Sequence, residues 1–118
     1  MPRVLIVDDQ PAFRLHLRQL LTYAGMQVVG EADDILTAEA LIRELSPDLA
    51  IVDVMLPNIN GLEGTLRFKA LFPELRVYLI SAYRDQAQVF QASAHEVGAE
   101  AFVTKDDLDL DLVKTWIK

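Results

Sequence analysis

The chain reads as an α/β protein, a doubly wound parallel sheet of five strands with five helices. Three observations predict this. Short runs rich in Val, Ile and Leu alternate five times with segments whose apolar residues recur at helical spacing. The runs are apolar almost throughout, as in strands buried on both faces. The connections are short, which fits right-handed strand–helix–strand crossovers.

Arg3 to Asp8 is the first strand. Pro11 suits the first turn of a helix, and Phe13, Leu17, Leu20, Leu21 and Ala24 fall on one helical face. Gly25 ends that helix. Gln27 to Glu31 is strand two. Asp33 or Asp34 caps helix two, whose buried face is Ala38, Leu41, Ile42 and Leu45. Ser46-Pro47 stops it. Strand three is Asp48 to Asp53. The turn-rich Pro57-Asn58-Ile59-Asn60-Gly61 opens helix three, with Leu62, Leu66 and Ala70 on one side and Pro73 closing it. Strand four is Arg76 to Ser81. Asp85 starts helix four, with Ala87, Phe90, Ala94 and Val97 inward and Gly98 as the stop. Strand five is Glu100 to Thr104.

Asp106 to Lys118 is read as helix five. Residues 107–112 alternate Asp and Leu with period two, a strand signal. Helix is preferred because Asp favours a helix N-terminus and Leu108, Leu112 and Trp116 keep a spacing of four.

The 118 residues fit a single domain, and 52% apolar content supports a core and excludes disorder. No apolar stretch approaches the ~20 residues needed to span a bilayer. The opening Met-Pro-Arg-Val-Leu-Ile-Val-Asp-Asp is not a signal peptide, since acid ends the apolar run early. Cysteine is absent, which excludes disulfides and thiolate metal sites. A cytoplasmic protein is expected. With 11 Lys+Arg against 18 Asp+Glu, the formal charge is −7, which disfavours direct nucleic-acid binding.

In an open α/β sheet the crevice at the carboxyl ends of the strands is where function lies. Asp8, Asp9, Asp53, Ser81 and Lys105 all stand at or just after predicted strand ends. A helix cap accounts for one of Asp8 and Asp9 but does not require both. Three gathered carboxylates repel one another and stay ionised together when a cation is shared among them. Two carboxylates and a carbonyl suffice for magnesium, which prefers hard oxygen ligands and retains water. Lys105 alone reads as a surface lysine and Ser81 alone as a turn residue. Beside Asp53 they suggest phosphorylation of a carboxylate, with the lysine and hydroxyl meeting phosphoryl charge.

Val4-Leu5-Ile6-Val7-Asp8-Asp9, the run from Leu49 through Asp53 to Gly61, Ile80-Ser81-Ala82, and the run from Gly98 to Lys105 together resemble the response-regulator receiver domain of two-component signalling. The resemblance covers essentially the whole chain, as one receiver domain over 1–118 with a flavodoxin-like sheet. It implies that Asp53 accepts a phosphoryl group from the phosphohistidine of a sensor histidine kinase. Asp9 and Asp53 would be direct Mg2+ ligands with the Met55 backbone carbonyl, and Asp8 would act mainly through a metal-bound water. Lys105 would reach the phosphoryl group, Ser81 and Phe102 would be the switch pair, and Pro57 and Gly61 would shape the loop. Read without the resemblance, Phe102 is plain core.

Residues 28–32 and 56–63 look like receivers joined to LuxR- or NarL-type helix-turn-helix domains. The chain leaves no room for such a domain, so it reads as the N-terminal part of a DNA-binding transcription regulator or as a stand-alone receiver. Homodimerisation on phosphorylation is possible within the family.

Three departures from the family pattern stand out. The interval from Ser81 to Lys105 is slightly long, with the surplus between Ala82 and Gly98, in helix four or the loop before it. Asp106 rather than proline follows Lys105, placing negative charge beside it. Met55 cannot hydrogen-bond an attacking water, which bears on acyl-phosphate lifetime. His16 and His95 lie on helices away from strand ends and read as solvated. The rival readings are a pseudo-receiver acting as an interaction module, an aspartyl phosphatase and a flavin-binding module. Met55 stands where the phosphatase wants a general acid, and Asp8-Asp9 would repel a flavin phosphate.

Overall fold

Five parallel strands form one sheet in the order β2-β1-β3-β4-β5 in the computed structural model, which describes residues 1–117. The elements are β1 Arg3–Val7, α1 Pro11–Tyr23, β2 Gln27–Ala32, α2 Ile35–Leu45, β3 Leu49–Asp53, α3 Gly61–Leu71, β4 Arg76–Ser81, α4 Ala87–Glu96, β5 Ala101–Thr104 and α5 Leu110–Lys114. From β1 the chain steps outward to β2, then crosses back over β1 to β3. Strand order therefore reverses between β1 and β3, where a crevice opens at the carboxyl edge.

The side chains of each strand alternate between two apolar layers. On one face Leu5, Val7, Val52, Val77 and Leu79 pack with Ile35, Ile42, Phe68 and Phe90 from α2, α3 and α4. On the other, Val4, Ile6, Ile51 and Ile80 pack with Leu17, Leu21, Val113 and Trp116. Burial on both faces explains the continuous apolar runs in the sequence.

Local signals account for most boundaries. Pro11 occupies the first turn of α1, and Gly25 follows its C-cap at φ +97°. Asp34, not Asp33, caps α2 by accepting from the Thr37 N–H at 2.7 Å. Ser46 ends α2 in the left-handed region at φ 48°. Asn60 caps α3 by accepting from the Glu63 N–H at 2.9 Å.

Three expectations are corrected. The buried side of α3 is Gly61, Gly64, Thr65 and Phe68, whereas Leu66 and Ala70 are exposed. Two glycines and a threonine bring α3 close to its neighbours, an arrangement that counting large apolar residues does not reveal. Second, α4 begins at Ala87 rather than Asp85. A 3-10 turn, Arg84–Gln86, precedes it, so the long Ala82–Gly98 interval is used in the lead-in to the helix.

Third, α5 is much shorter than a helix from Asp106. Lys105–Asp107 forms a 3-10 turn, Asp109 caps α5 by accepting from the Leu112 N–H at 2.8 Å, and α5 covers five residues. Each Asp of the alternating run can recruit a backbone N–H, and that at Asp109 wins. Lys118 lies outside the described residues. Trp116 stacks on Tyr78 of β4 with centroids 4.4 Å apart, and the Arg76 guanidinium donates to the Trp116 carbonyl at 2.7 Å.

Candidate functional site

The crevice is built by three strand ends. After β1 the Asp8 N–H donates to the Ala32 carbonyl at 2.9 Å, and Asp8 Oδ1 accepts from the Gln10 N–H at 2.8 Å. That side-chain turn bends the chain into α1. The Arg14 guanidinium donates to the Asp8 carbonyl at 2.6 Å and to Glu31 Oε1 at 2.9 Å, tying the bend to β2. Asp8 is fully buried, whereas Asp9 faces solvent.

Asp53 ends β3 and is buried, its Oδ1 accepting from the Met55 N–H at 2.9 Å. The following loop folds back so that the Gly61 N–H donates to the Val54 carbonyl at 2.9 Å. Gly61 has no space for a side chain. A Cβ there would press on the Asp53 carbonyl oxygen and lie 2.9 Å from both Asp53 C and Val54 Cα. Pro57 sits exposed on this loop, next to Asn58 at φ +67°.

Lys105 enters from β5. Its Nζ lies 2.8 Å from Asp8 Oδ2 and 3.2 Å from Asp53 Oδ2. Asp8 Oδ2 is buried without a hydrogen bond of good geometry, so the short contact to Lys105 is a charge contact rather than a directed bond. Carboxylate oxygens of Asp8, Asp9 and Asp53 all come within 4.8 Å of one another. Three acids thus face one ammonium. Burial pushes the Asp53 carboxyl above its ordinary range. The Met55 N–H and Lys105 oppose that push, Asp8 adds to it, and the net direction is upward.

This set fits a hard divalent cation. Its donors are all oxygen, its acids are too close for one ammonium to balance, and one buried carboxylate oxygen lacks a directed partner.

Ser81 ends β4 fully buried, beside Thr104 in register, and its Oγ accepts from the Tyr83 N–H at 3.1 Å. Phe102 is packed as core, its ring 5.4 Å from that of Phe90 and tilted by 56°. The Met55 side chain is half exposed. A groove of about 530 Å³ bordered by Asp9, Met55, Asn60, Tyr83 and Phe90 opens beside the acids. A cavity of about 650 Å³ lined by Pro2, Arg43, Phe72 and Arg76 lies at the opposite edge of the sheet, away from this chemistry. The Asp106 carboxylate lies 3.5 Å from the Arg84 guanidinium, an exposed pair that partly offsets its charge. His16 and His95 are exposed on α1 and α4 and, among the described residues, belong to no acidic cluster.

Sequence reasoning placed Asp8, Asp9, Asp53 and Lys105 together, and the structure brings them together. It missed Gln10, Phe13 and Arg14. By its spacing Phe13 falls on the inward face of α1, which marks it as core. The pair Arg14 and Arg18, four apart on α1, was a readable sign of a partner such as Glu31.

The family described as the response regulator receiver domain matches residues 4–116. A protein named as a transcriptional regulator in Pseudomonas aeruginosa is 42% identical over 105 residues, covering 89% of this chain and 50% of that protein. The chain thus spans about half the length of that relative. The chemotaxis protein CheY of Thermotoga maritima is 35% identical over 103 residues, covering 87% of this chain and 84% of CheY. Among solved structures, a two-component response regulator of the LuxR family from Aurantimonas sp. SI85-9A1 has TM-score 0.89 at 33% identity, covering 97% of this chain and 81% of that one.

Proposed function

The chain belongs to the response regulator receiver domain family, and from that premise we propose that Asp53 accepts a phosphoryl group from the phosphohistidine of a sensor kinase. An Asp53 carboxylate oxygen attacks phosphorus, the P–O bond forms, the P–N bond breaks, and the imidazole nitrogen leaves with the electron pair. Hydrolysis of the acyl phosphate resets the protein, so it acts once per signal rather than as a turnover enzyme. The observation that supports this most is the Lys105 ammonium between buried Asp8 and Asp53, close enough to follow charge onto a phosphoryl oxygen.

Asp9 and Asp53 would hold Mg2+ directly together with the Met55 carbonyl, and Asp8 would hold it through water. When bound, Mg2+ neutralises phosphoryl charge. Asp8 keeps the bend between β1 and α1 closed, and the Met55 N–H orients Asp53. Gly61 lets the loop pass against the Asp53 carbonyl, with Pro57 stiffening its outer side. Ser81 and Phe102 form the switch: Ser81 gives up the Tyr83 N–H to meet the phosphoryl group, and the Phe102 ring repacks against Phe90.

The output is transcriptional. This chain acts as the N-terminal receiver of a longer DNA-binding regulator in the cytoplasm, and pairs with a second copy when phosphorylated. The regulator name and greater length of its Pseudomonas relative support the transcriptional part of that reading.

The test is intact mass after acetyl phosphate and Mg2+. The parent gains one phosphoryl mass and Asp53→Ala gains none. A parent without mass gain would make the chain an interaction module that is not phosphorylated.

A further inference from the structure

The Lys105 ammonium has two neighbours that carry no charge. Gln10 Oε1 lies 3.1 Å from Nζ, and the Phe13 ring centroid lies 4.2 Å from it. With Asp8 and Asp53 these neighbours enclose the head group, and the side chain is only 8% exposed. An ammonium has donors only, so the amide oxygen rather than the NH2 must face it. We propose that Gln10 and Phe13 are positioning residues that hold Lys105 on course for the phosphoryl group. The proposal rests on Asp53 being the phosphoacceptor.

The backbone that carries both residues is anchored. Gln10 precedes α1 with its N–H on Asp8 Oδ1, and Arg14, one residue after Phe13, is bound to the Asp8 carbonyl. Phe13 packs partly buried against the Leu17 and Leu21 layer. At its other end Lys105 leaves a turn pinned by the Thr104 hydroxyl, which donates to Asp107 Oδ2 at 2.7 Å. The head group is thus guided by α1 and anchored by β5.

When a phosphoryl group joins Asp53, negative charge moves outward from the carboxylate onto phosphoryl oxygens. Lys105 must turn its N–H bonds from Asp53 Oδ2 toward that new charge. A ring face attracts a cation whichever way its N–H bonds point. Phe13 therefore stays a partner throughout the turn, whereas a carboxylate partner must be exchanged. Gln10 holds one N–H, so the ammonium pivots rather than wandering.

The test compares Phe13→Leu, Phe13→Tyr and Gln10→Ala with the parent. Leucine keeps the apolar contact and removes the ring face. The initial rate of phosphoryl uptake from acetyl phosphate should fall about three- to ten-fold in Phe13→Leu and about two-fold or more in Gln10→Ala, with Phe13→Tyr close to the parent. In NMR spectra of the unphosphorylated proteins, the Lys105 ε-methylene protons should be ring-shifted upfield in the parent and Phe13→Tyr, and lose that shift in Phe13→Leu. A Phe13→Leu protein that loses the shift but takes up phosphate at the parent rate makes Phe13 plain core and overturns the proposal. If Phe13→Leu does not fold, a parent rate in Gln10→Ala or absence of the shift in the parent overturns it. A parent that gains no phosphoryl mass removes the Asp53 reading first, and this proposal with it.

Discussion

Gly61→Ala should cripple the site through backbone displacement alone. A Cβ at Gly61 would press on the Asp53 carbonyl oxygen and meet Asp53 C and Val54 Cα at 2.9 Å. Unstrained carbons sit roughly 3.5–4.0 Å apart, so both carbons are about 0.6 Å or more too close. The atoms in the way are backbone and cannot rotate aside. Overpacking of this kind costs about 1–3 kcal/mol, against about 0.4–1 kcal/mol gained from a less flexible unfolded chain. The net loss should be about 1.3 kcal/mol, a fall in Tm of about 5 °C for a chain near this length.

Gly64→Ala is the control. There the Cβ meets Ile35 Cδ1, and Cγ1 at 2.8 Å, which is side chain rather than backbone. Ile35→Val removes Cδ1, so the Gly64→Ala, Ile35→Val pair should recover part of the loss. No single side-chain change relieves Gly61→Ala. Urea unfolding gives both stabilities, and phosphoryl uptake from acetyl phosphate reports Asp53. Gly61→Ala within 0.5 kcal/mol of the parent (about the scatter between neutral surface variants), with an unchanged uptake rate, would refute the reasoning.

Mg2+ at ten times its Kd should raise stability by about 1.4 kcal/mol, seen as a rise in Tm that Asp9→Ala removes; an equal rise in that variant takes Asp9 out of the ligand set. Glu31 is held below its ordinary value of 4.5: burial pushes it up, but hydrogen bonds from Arg18 and Arg14 outweigh that. Its ion pairs therefore stabilise the fold above that value and lose their effect as pH falls through the lowered folded value. Glu31→Gln should cost about 1 kcal/mol at neutral pH, and the difference from the parent should close on acidification below 4.5; a gap independent of pH would contradict this. Met55→Asn places an amide at a half-exposed site beside Asp53, where one hydrogen bond to the attacking water should speed acyl-phosphate loss about five-fold. An unchanged decay of phosphorylated protein would remove Met55 from that role.

Most of the architecture was legible because each local signal agreed with the others. The strand runs, Pro11, Gly25, Ser46 and the acids at strand ends all pointed to one topology, and strand boundaries fell within a residue or so. The site acids were legible for the same reason, since their place follows from where strands end. What was hidden depended on shape. The packing side of α3 uses small residues chosen for close approach, which hydropathy does not rank. The length of α5 depended on which Asp won a backbone N–H. The setting of Lys105 by Gln10 and Phe13 depended on a contact between residues 95 apart in sequence.

The five-residue α5 is too short to persist on its own backbone bonds. Its hold comes from the Val113 and Trp116 side chains and the Arg76 clasp on the Trp116 carbonyl. α5 should therefore open at lower free-energy cost than the paired strands. Amide exchange should be faster in α5 than in the central strands, and a limiting protease should cut there before it cuts the sheet.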